Sequence, residues 1–387
     1  MSDREKRCKR SRSDQMKELG AADSRDIYFG EENPENIWKH ATTENQTDFE
    51  AFIELCSEFK EMAFSGDKGE LAELLSSAMY SLVYHRHGHF IDESDWLAEQ
   101  SNKILSHSKM AFIQRAYTWA HIGCSTICVW DDNAKENVCM RSLDWKGART
   151  LGNATRIFNF KKNLNNTTSE FSTVGTIGML GVLTGMKKGF SLAINYAPWF
   201  KRSLDRDMDP TFKMRKLLEN PSINTFDRAL GAVENWEVSS PVFITICGKE
   251  KEEACVVEIG RKDKKNTRFI QNGILVQTNY YDPQGDFAYV EDRMAEKKQQ
   301  KPYPVDEDGC PLADEDWYCG KLIPSSAFRR KQLEDTFTGF SGTSEELEQM
   351  FIQAYRKPPV WNWETAYWAI MRPRSERMRV FARQKSM

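Results

Sequence analysis

The chain has no apolar run long enough to cross a bilayer, which needs about 20 predominantly apolar residues. Its most apolar stretch, residues 171–194, is broken by Gly175, Gly178, Gly181, Gly185, Lys187, Lys188 and Gly189, so it reads as buried strands with turns. No apolar core follows the initiator Met either. Residues 1–26 are dominated by Lys, Arg, Asp, Glu and Ser, which argues against a secretory signal and points to the cytoplasm. An excess of charge is missing too: 54 Lys+Arg stand against 57 Asp+Glu, so nothing draws the whole chain to nucleic acid or an anionic surface. The nine cysteines are odd in number and irregularly spaced, as expected of reduced thiols, and the sequons at Asn45, Asn153, Asn165 and Asn166 then stay unused. His is scarce, at six residues. Its one cluster, His85-Arg86-His87-Gly88-His89, lacks a Cys or carboxylate partner at ligand spacing, so it reads as a polar helix end and no metal or cofactor is expected.

What is present is enough for one large or two modest domains in 387 residues. Lys6, Arg7, Lys9, Arg10 and Arg12 make a basic run that reads as a disordered tail over residues 1–30, with nuclear targeting as the alternative. Beyond it, the three-four spacing of Phe49, Phe52, Ile53, Cys56 and Phe59 predicts a helix capped by Thr47 or Asp48. A second helix is expected over 70–84 and a third over 109–119. From Cys124 onward, Val, Ile, Thr and aromatic runs punctuated by Gly predict strands over 172–179, 189–196, 242–247, 254–260 and 274–278, with helices over 204–219, 225–235 and 344–355. Periodicity alone gives a mixed α and β fold. Residues 294–318, rich in Lys, Gln, Pro, Asp and Glu, read as a polar surface insertion. Trp361, Trp363, Tyr367 and Trp368 read as core or a lipid-facing wall.

The sharpest chemical signal is a hairpin. Gly123-Cys124-Ser125-Thr126-Ile127-Cys128-Val129-Trp130 precedes a polar turn at 131–137, and a second apolar run ends in Arg141-Ser142-Leu143-Asp144. Antiparallel pairing sets the start of one strand beside the end of the next, so a thiol, a cation and a carboxylate meet at one sheet end. A thiol so placed can act as an acyl-transfer nucleophile, oriented by Arg141 and Asp144. Taken alone, Arg141 and Asp144 read better as an ordinary ion pair, and it is alongside Cys124 and Asn279 that the catalytic reading prevails. Cys56, Cys128, Cys139, Cys247 and Cys255 read as small buried residues.

At these residues the chain resembles the acid ceramidase and N-acylethanolamine acid amidase family, relatives of the choloylglycine hydrolases among the N-terminal nucleophile hydrolases. The family's Cys-Thr-Ser and Arg-Asn-Leu-Asp stand here as Cys124-Ser125-Thr126 and Arg141-Ser142-Leu143-Asp144. The likeness continues through residues 181–192, Gln277-Thr278-Asn279-Tyr280, Asp292-Arg293 and Pro359-Val360-Trp361-Asn362. It implies an αββα sandwich over 124–387 behind a helical pro-segment over 31–123. It also implies self-cleavage between Gly123 and Cys124, after which the freed α-amine, with an ordinary pKa of about 7.7–8.0, serves as the base. Arg141 and Asp144 would orient the nucleophile, Asn279 would donate to the oxyanion, and Arg293 would support the site by charge. Asn195 and Tyr196 would line the substrate site, Tyr196 standing where the family often carries Glu.

The implied activity is hydrolysis of a linear amide carbon–nitrogen bond in an N-acylated lipid amine of the ceramide or N-acylethanolamine class. The alternatives are an acylase of the same fold acting on bile salts, penicillin V or acyl-homoserine lactones, or a non-catalytic relative that binds an acyl ligand or a partner. The implied partners are a small acyl amide and the chain's own cleaved fragment, with peripheral membrane contact allowed and no nucleic acid.

Overall fold

The computed structural model describes residues 15–66, 69–83, 90–115, 122–145, 147–197, 209–260, 265–279, 281, 322–362 and 364–384. Arg293, the 294–318 insertion, the basic run, the His85–His89 cluster, Tyr280 and Trp363 lie outside the described residues.

Two short strands come first, β1 (Gln15–Glu18) and β2 (Ser24–Tyr28), then five helices: α1 (Pro34–Thr42), α2 (Gln46–Phe64), α3 (Gly69–Val83), α4 (Ile91–Gln100) and α5 (His107–Ile113). The hairpin follows as β3 (Gly123–Asp131) and β4 (Glu136–Asp144). Next are α6 (Ala148–Asn153), β5 (Thr155–Lys161), β6 (Phe171–Thr176), β7 (Thr184–Lys187) and β8 (Phe190–Tyr196). The chain continues through α7 (Pro210–Glu219), α8 (Phe226–Glu234), β9 (Val242–Gly248), β10 (Ala254–Ile259), β11 (Lys265–Phe269) and β12 (Ile274–Gln277). It ends with α9 (Leu322–Phe337), α10 (Ser344–Ala354), β13 (Thr365–Arg372) and β14 (Arg377–Gln384).

The strands form a six-stranded sheet, β1-β14-β13-β4-β3-β12, and an eight-stranded sheet, β11-β10-β9-β8-β7-β6-β5-β2. The hairpin strands β3 and β4 are central in the first sheet. Alternation in β8 and β9 divides Phe190, Leu192 and Ile194 from Ser191, Ala193 and Asn195, and Thr126 donates from the first sheet to Asn195, so the two sheets face each other there. Leu333, Phe337, Leu347 and Phe351 of α9 and α10 cover the other side of the six-stranded sheet, against Ile127, Val129, Met140 and Trp368. Phe226, Ala229 and Val233 of α8 pack with Val242, Ile244 and Ile246 on the far side of the eight-stranded sheet.

Several expectations change. Residues 15–28, expected in the disordered tail, are edge strands of both sheets, β1 against β14 and β2 parallel to β5. Their pairing is made by main-chain groups, and only Ile27 of β2 is buried, so the sequence carries little apolar pattern there. The cap of α2 is Asn45, which accepts from the N–H groups of Thr47 and Asp48 at 2.9 and 3.3 Å. Asp48 is buried instead, paired with Arg156 at 2.7 Å and with Arg25. The third helix is shorter than expected, ending at Ile113, and α7 starts only at Pro210, where Asp209 caps it. Among the described residues, no helix is long and apolar enough to cross a membrane.

Candidate active site

The register of the hairpin fixes the site. Gly123 pairs with Asp144, Cys124 with Leu143 and Thr126 with Arg141, so the Arg141 side chain shares the Cys124 face. Arg141 Nη2 donates to Cys124 Sγ at 3.3 Å and to the Ile194 carbonyl at 3.1 Å. Asp144 stands beside Gly123 so tightly that a Cβ on Gly123 would sit 3.0 Å from the Asp144 Cβ. Glycine is what this close approach accommodates. Thr365 Oγ1 donates to Asp144 Oδ1 at 2.8 Å.

Asn279 arrives from the other side, because β12 pairs with β3 through Gln277 and Thr126 and the chain then runs on past Cys124. The main-chain N–H of Cys124 donates to Asn279 Oδ1 at 2.8 Å. Asn279 Nδ2 donates to the carbonyls of Tyr196 at 2.8 Å and Ile122 at 3.2 Å. Ser326 Oγ accepts the Asn279 N–H at 2.7 Å, which fixes the loop to α9.

Arg329, on α9, was not among the residues singled out from the sequence. Its Nη1 donates to the Cys124 carbonyl at 2.6 Å and to Ser125 Oγ at 2.7 Å, and its Nη2 donates to Asn279 Oδ1 at 2.9 Å. It also lies 3.8 Å from Asp144 Oδ2. One planar fork therefore ties the nucleophile's strand, Asn279 and Asp144 together. Its only sequence signal is the Arg329-Arg330 pair.

Cys124 is fully buried, and burial pushes its thiol up; Arg141 and a main-chain hydrogen bond from Tyr196 pull the other way. Burial also raises the carboxyl of Asp144, against the attraction of Arg329.

No family model matches the chain. Acid ceramidase of Mus musculus is 27% identical over 154 residues, which are 35% of this chain and 37% of that protein. The N-acylethanolamine-hydrolyzing acid amidase of Caenorhabditis elegans is 27% identical over 180 residues, 43% of this chain and 49% of that protein. The chain resembles the acid ceramidase and N-acylethanolamine acid amidase family. It spans between a third and a half of the length of these curated relatives. A solved structure of the Caenorhabditis elegans N-acylethanolamine-hydrolyzing acid amidase ortholog matches at a TM-score of 0.47 with 20% identity, over 65% of this chain and 93% of that one.

Asn195 and Tyr196, expected at the substrate through the family likeness, both end β8 beside the segment that carries Asn279. The Asn195 side chain is fully buried between the sheets, accepting from Thr126 Oγ1 at 2.7 Å and donating to the carbonyls of Gln277 and Thr278 at 2.9 and 3.3 Å. It steadies the end of β12 and the loop that carries Asn279. Tyr196 presents its main chain to the site while its ring joins the core. The replacement of the family Glu thus changes a side chain that the main-chain contacts do not require. Beside Tyr367, a small apolar cavity of about 20 Å³ is lined by Leu143, Trp145, Leu151, Met179 and Leu183. Among the described residues, no group of three or more His, Cys, Asp and Glu could hold a metal ion.

Proposed function

We propose that this chain is a self-processing cysteine amidase that hydrolyses a linear amide of an N-acylated lipid amine. The observation that carries the reading is the contact of the Cys124 thiol with Arg141, on a strand whose main-chain N–H is already held by Asn279. In the first step Cys124 Sγ attacks the Gly123 carbonyl and the Gly123–Cys124 amide bond breaks, its nitrogen taking the thiol proton; water then hydrolyses the resulting thioester to a Gly123 carboxylate and a chain that begins at Cys124. The new α-amine stays at the atom that now donates to Asn279. In turnover Cys124 Sγ attacks the acyl carbonyl, the α-amine carries the thiol proton to the departing amine, and water clears the thioester. Arg141 stabilises the sulfur anion. Asn279 Nδ2 and the Tyr196 N–H are the donors for the oxyanion.

The stacked layers are consistent with the αββα sandwich of N-terminal nucleophile hydrolases, residues 31–123 being the pro-segment. Two buried ion pairs support continued association of the cleaved fragments, Asp48 with Arg156 and Glu93 with Arg215, each at 2.7 Å. Removing the leader would take Asp48 from the buried Arg156 and Glu93 from the buried Arg215, which would keep Glu219 at 2.8 Å.

Intact-mass analysis combined with a panel of N-acyl amides tests the reading. Two fragments and hydrolysis of a lipid amide are expected from the wild type, and one inert band from Cys124→Ala. A wild type that stays one chain and hydrolyses nothing at any pH would leave the binding relative as the better account.

A further inference from the structure

Thr365 and Tyr367 are two residues apart and in a regular strand would share one face. Here they do not. The register of β13 against β4 slips between them, Thr365 pairing with Asp144 and Tyr367 with Leu143. Asp144 and Leu143 are neighbours on β4 and face opposite sides of the sheet, so the bulge at Ala366 turns Tyr367 to the Cys124 face while Thr365 stays with Asp144. Two rows cross the three strands as a result: Gly123, Asp144 and Thr365 in one, Cys124, Leu143 and Tyr367 in the next. Bulges beside reactive sites commonly re-aim a side chain in this way.

The re-aimed phenol reaches the guanidinium that touches the nucleophile. Arg141 Nη1 donates to Tyr367 Oη at 2.5 Å, and the ring lies 5.4 Å from the Arg141 carbon centre. Tyr367 Oη also shares a 3.0 Å hydrogen bond with Thr184 Oγ1 of the facing sheet, and both residues are buried. Arg141 is thereby held by the Tyr367 hydroxyl and the Ile194 carbonyl, with Cys124 Sγ as its third contact. Tyr367 also forms part of the apolar cavity wall.

We infer that Tyr367 is a positioning residue for the amidase reaction: through the Ala366 bulge it fixes the Arg141 guanidinium on the Cys124 sulfur. This rests on the function proposed above. Tyr367→Phe keeps the ring and removes only the hydroxyl, with its bonds to Arg141 and Thr184. With an accepted acyl amide it lowers kcat by about tenfold while KM stays within about twofold, the loss expected when a charged donor loses its buried acceptor. The acid limb of kcat/KM moves to higher pH, because the α-amine base loses part of the nearby cation that holds its value down. Thr184→Val, which leaves Tyr367 and Arg141 untouched, shifts both in the same direction by less.

An unchanged kcat and acid limb in Tyr367→Phe overturns the inference, as does a change confined to KM, which would mark a cavity wall alone. Crystal structures of the wild type and Tyr367→Phe give a readout free of turnover. The guanidinium is expected to leave hydrogen-bonding distance of Cys124 Sγ, and its staying there overturns the inference even if the protein hydrolyses nothing. A wild type that neither cleaves itself nor turns over an amide defeats the proposed function, and the guanidinium position still decides the role of Tyr367.

Discussion

Cys124 and Asn279, 155 positions apart, are joined by a 2.8 Å hydrogen bond from the main-chain N–H of one to the side-chain oxygen of the other. In the uncleaved chain Asn279 gives its two amide protons to Ile122 and Tyr196. On the mechanism proposed above, the donor needed by a substrate's oxyanion is engaged by the residue that precedes Gly123, and cleavage before Cys124 would free it.

Replacing Asn279 with Ala should lower amide turnover by about a hundred to a thousand times, the usual effect of removing one oxyanion donor. Steady-state kinetics on an accepted amide, with circular dichroism to confirm the fold, measures it. Near-normal turnover would remove Asn279 from the reaction.

Arg329 should matter to stability as well as to activity. It donates to groups on two other elements and lies 3.8 Å from the buried Asp144 carboxyl. Arg329→Gln is expected to destabilise the protein by about 3–5 kcal/mol, the range for breaking a buried pair from one side. Arg329→Lys should recover little, because a single ammonium lacks the fork that spans Ser125 and Asn279. Urea midpoints for the three proteins check this; a shift in Arg329→Gln equivalent to under about 0.5 kcal/mol would show that the site is held together by other contacts.

The hairpin was legible because its apolar runs bracket a polar turn, and the register then follows from chain geometry. Arg329 was not, because Arg329-Arg330-Lys331 reads as a solvated charge run and follows a long polar segment. β1 and β2 were hidden for a related reason: edge strands pair through the main chain and leave a weak side-chain pattern. The aromatic tail around Trp361 and Trp368 read as core or a lipid-facing wall without revealing β13 and β14. The bulge at Ala366 has no sequence mark, since it exists only in the pairing with β4.

Asp144 should oppose stability at neutral pH. Burial raises its carboxyl above the ordinary value, which in an unfolded chain is about 3.9, so the folded protein holds that proton more tightly. The stabilisation is present in full below about pH 3.9 and is lost as pH rises through the raised value. Asp144→Asn keeps an acceptor for Thr365 and removes the buried charge. Its melting temperature relative to wild type should climb as pH is raised from about 4 to 7, even though processing and turnover fail. A difference that stays flat across this range would contradict the assignment.

Turnover should peak near neutral pH. The base proposed for acyl transfer is the α-amine of Cys124, which loses its lone pair as pH falls below its value, ordinarily about 7.7–8.0. Arg141 nearby lowers that value and extends activity into mild acid, whereas Asp144 in its charged form raises it. Burial raises the thiol, so it already holds its proton at neutral pH, and acid acts by protonating first the α-amine that must accept that proton and then the raised Asp144 carboxylate. A pH profile of kcat on any accepted amide tests this. A maximum at about pH 4 to 5, with little activity at pH 7, would mean that the α-amine is not the base and that proton transfer runs through a group that stays basic in acid.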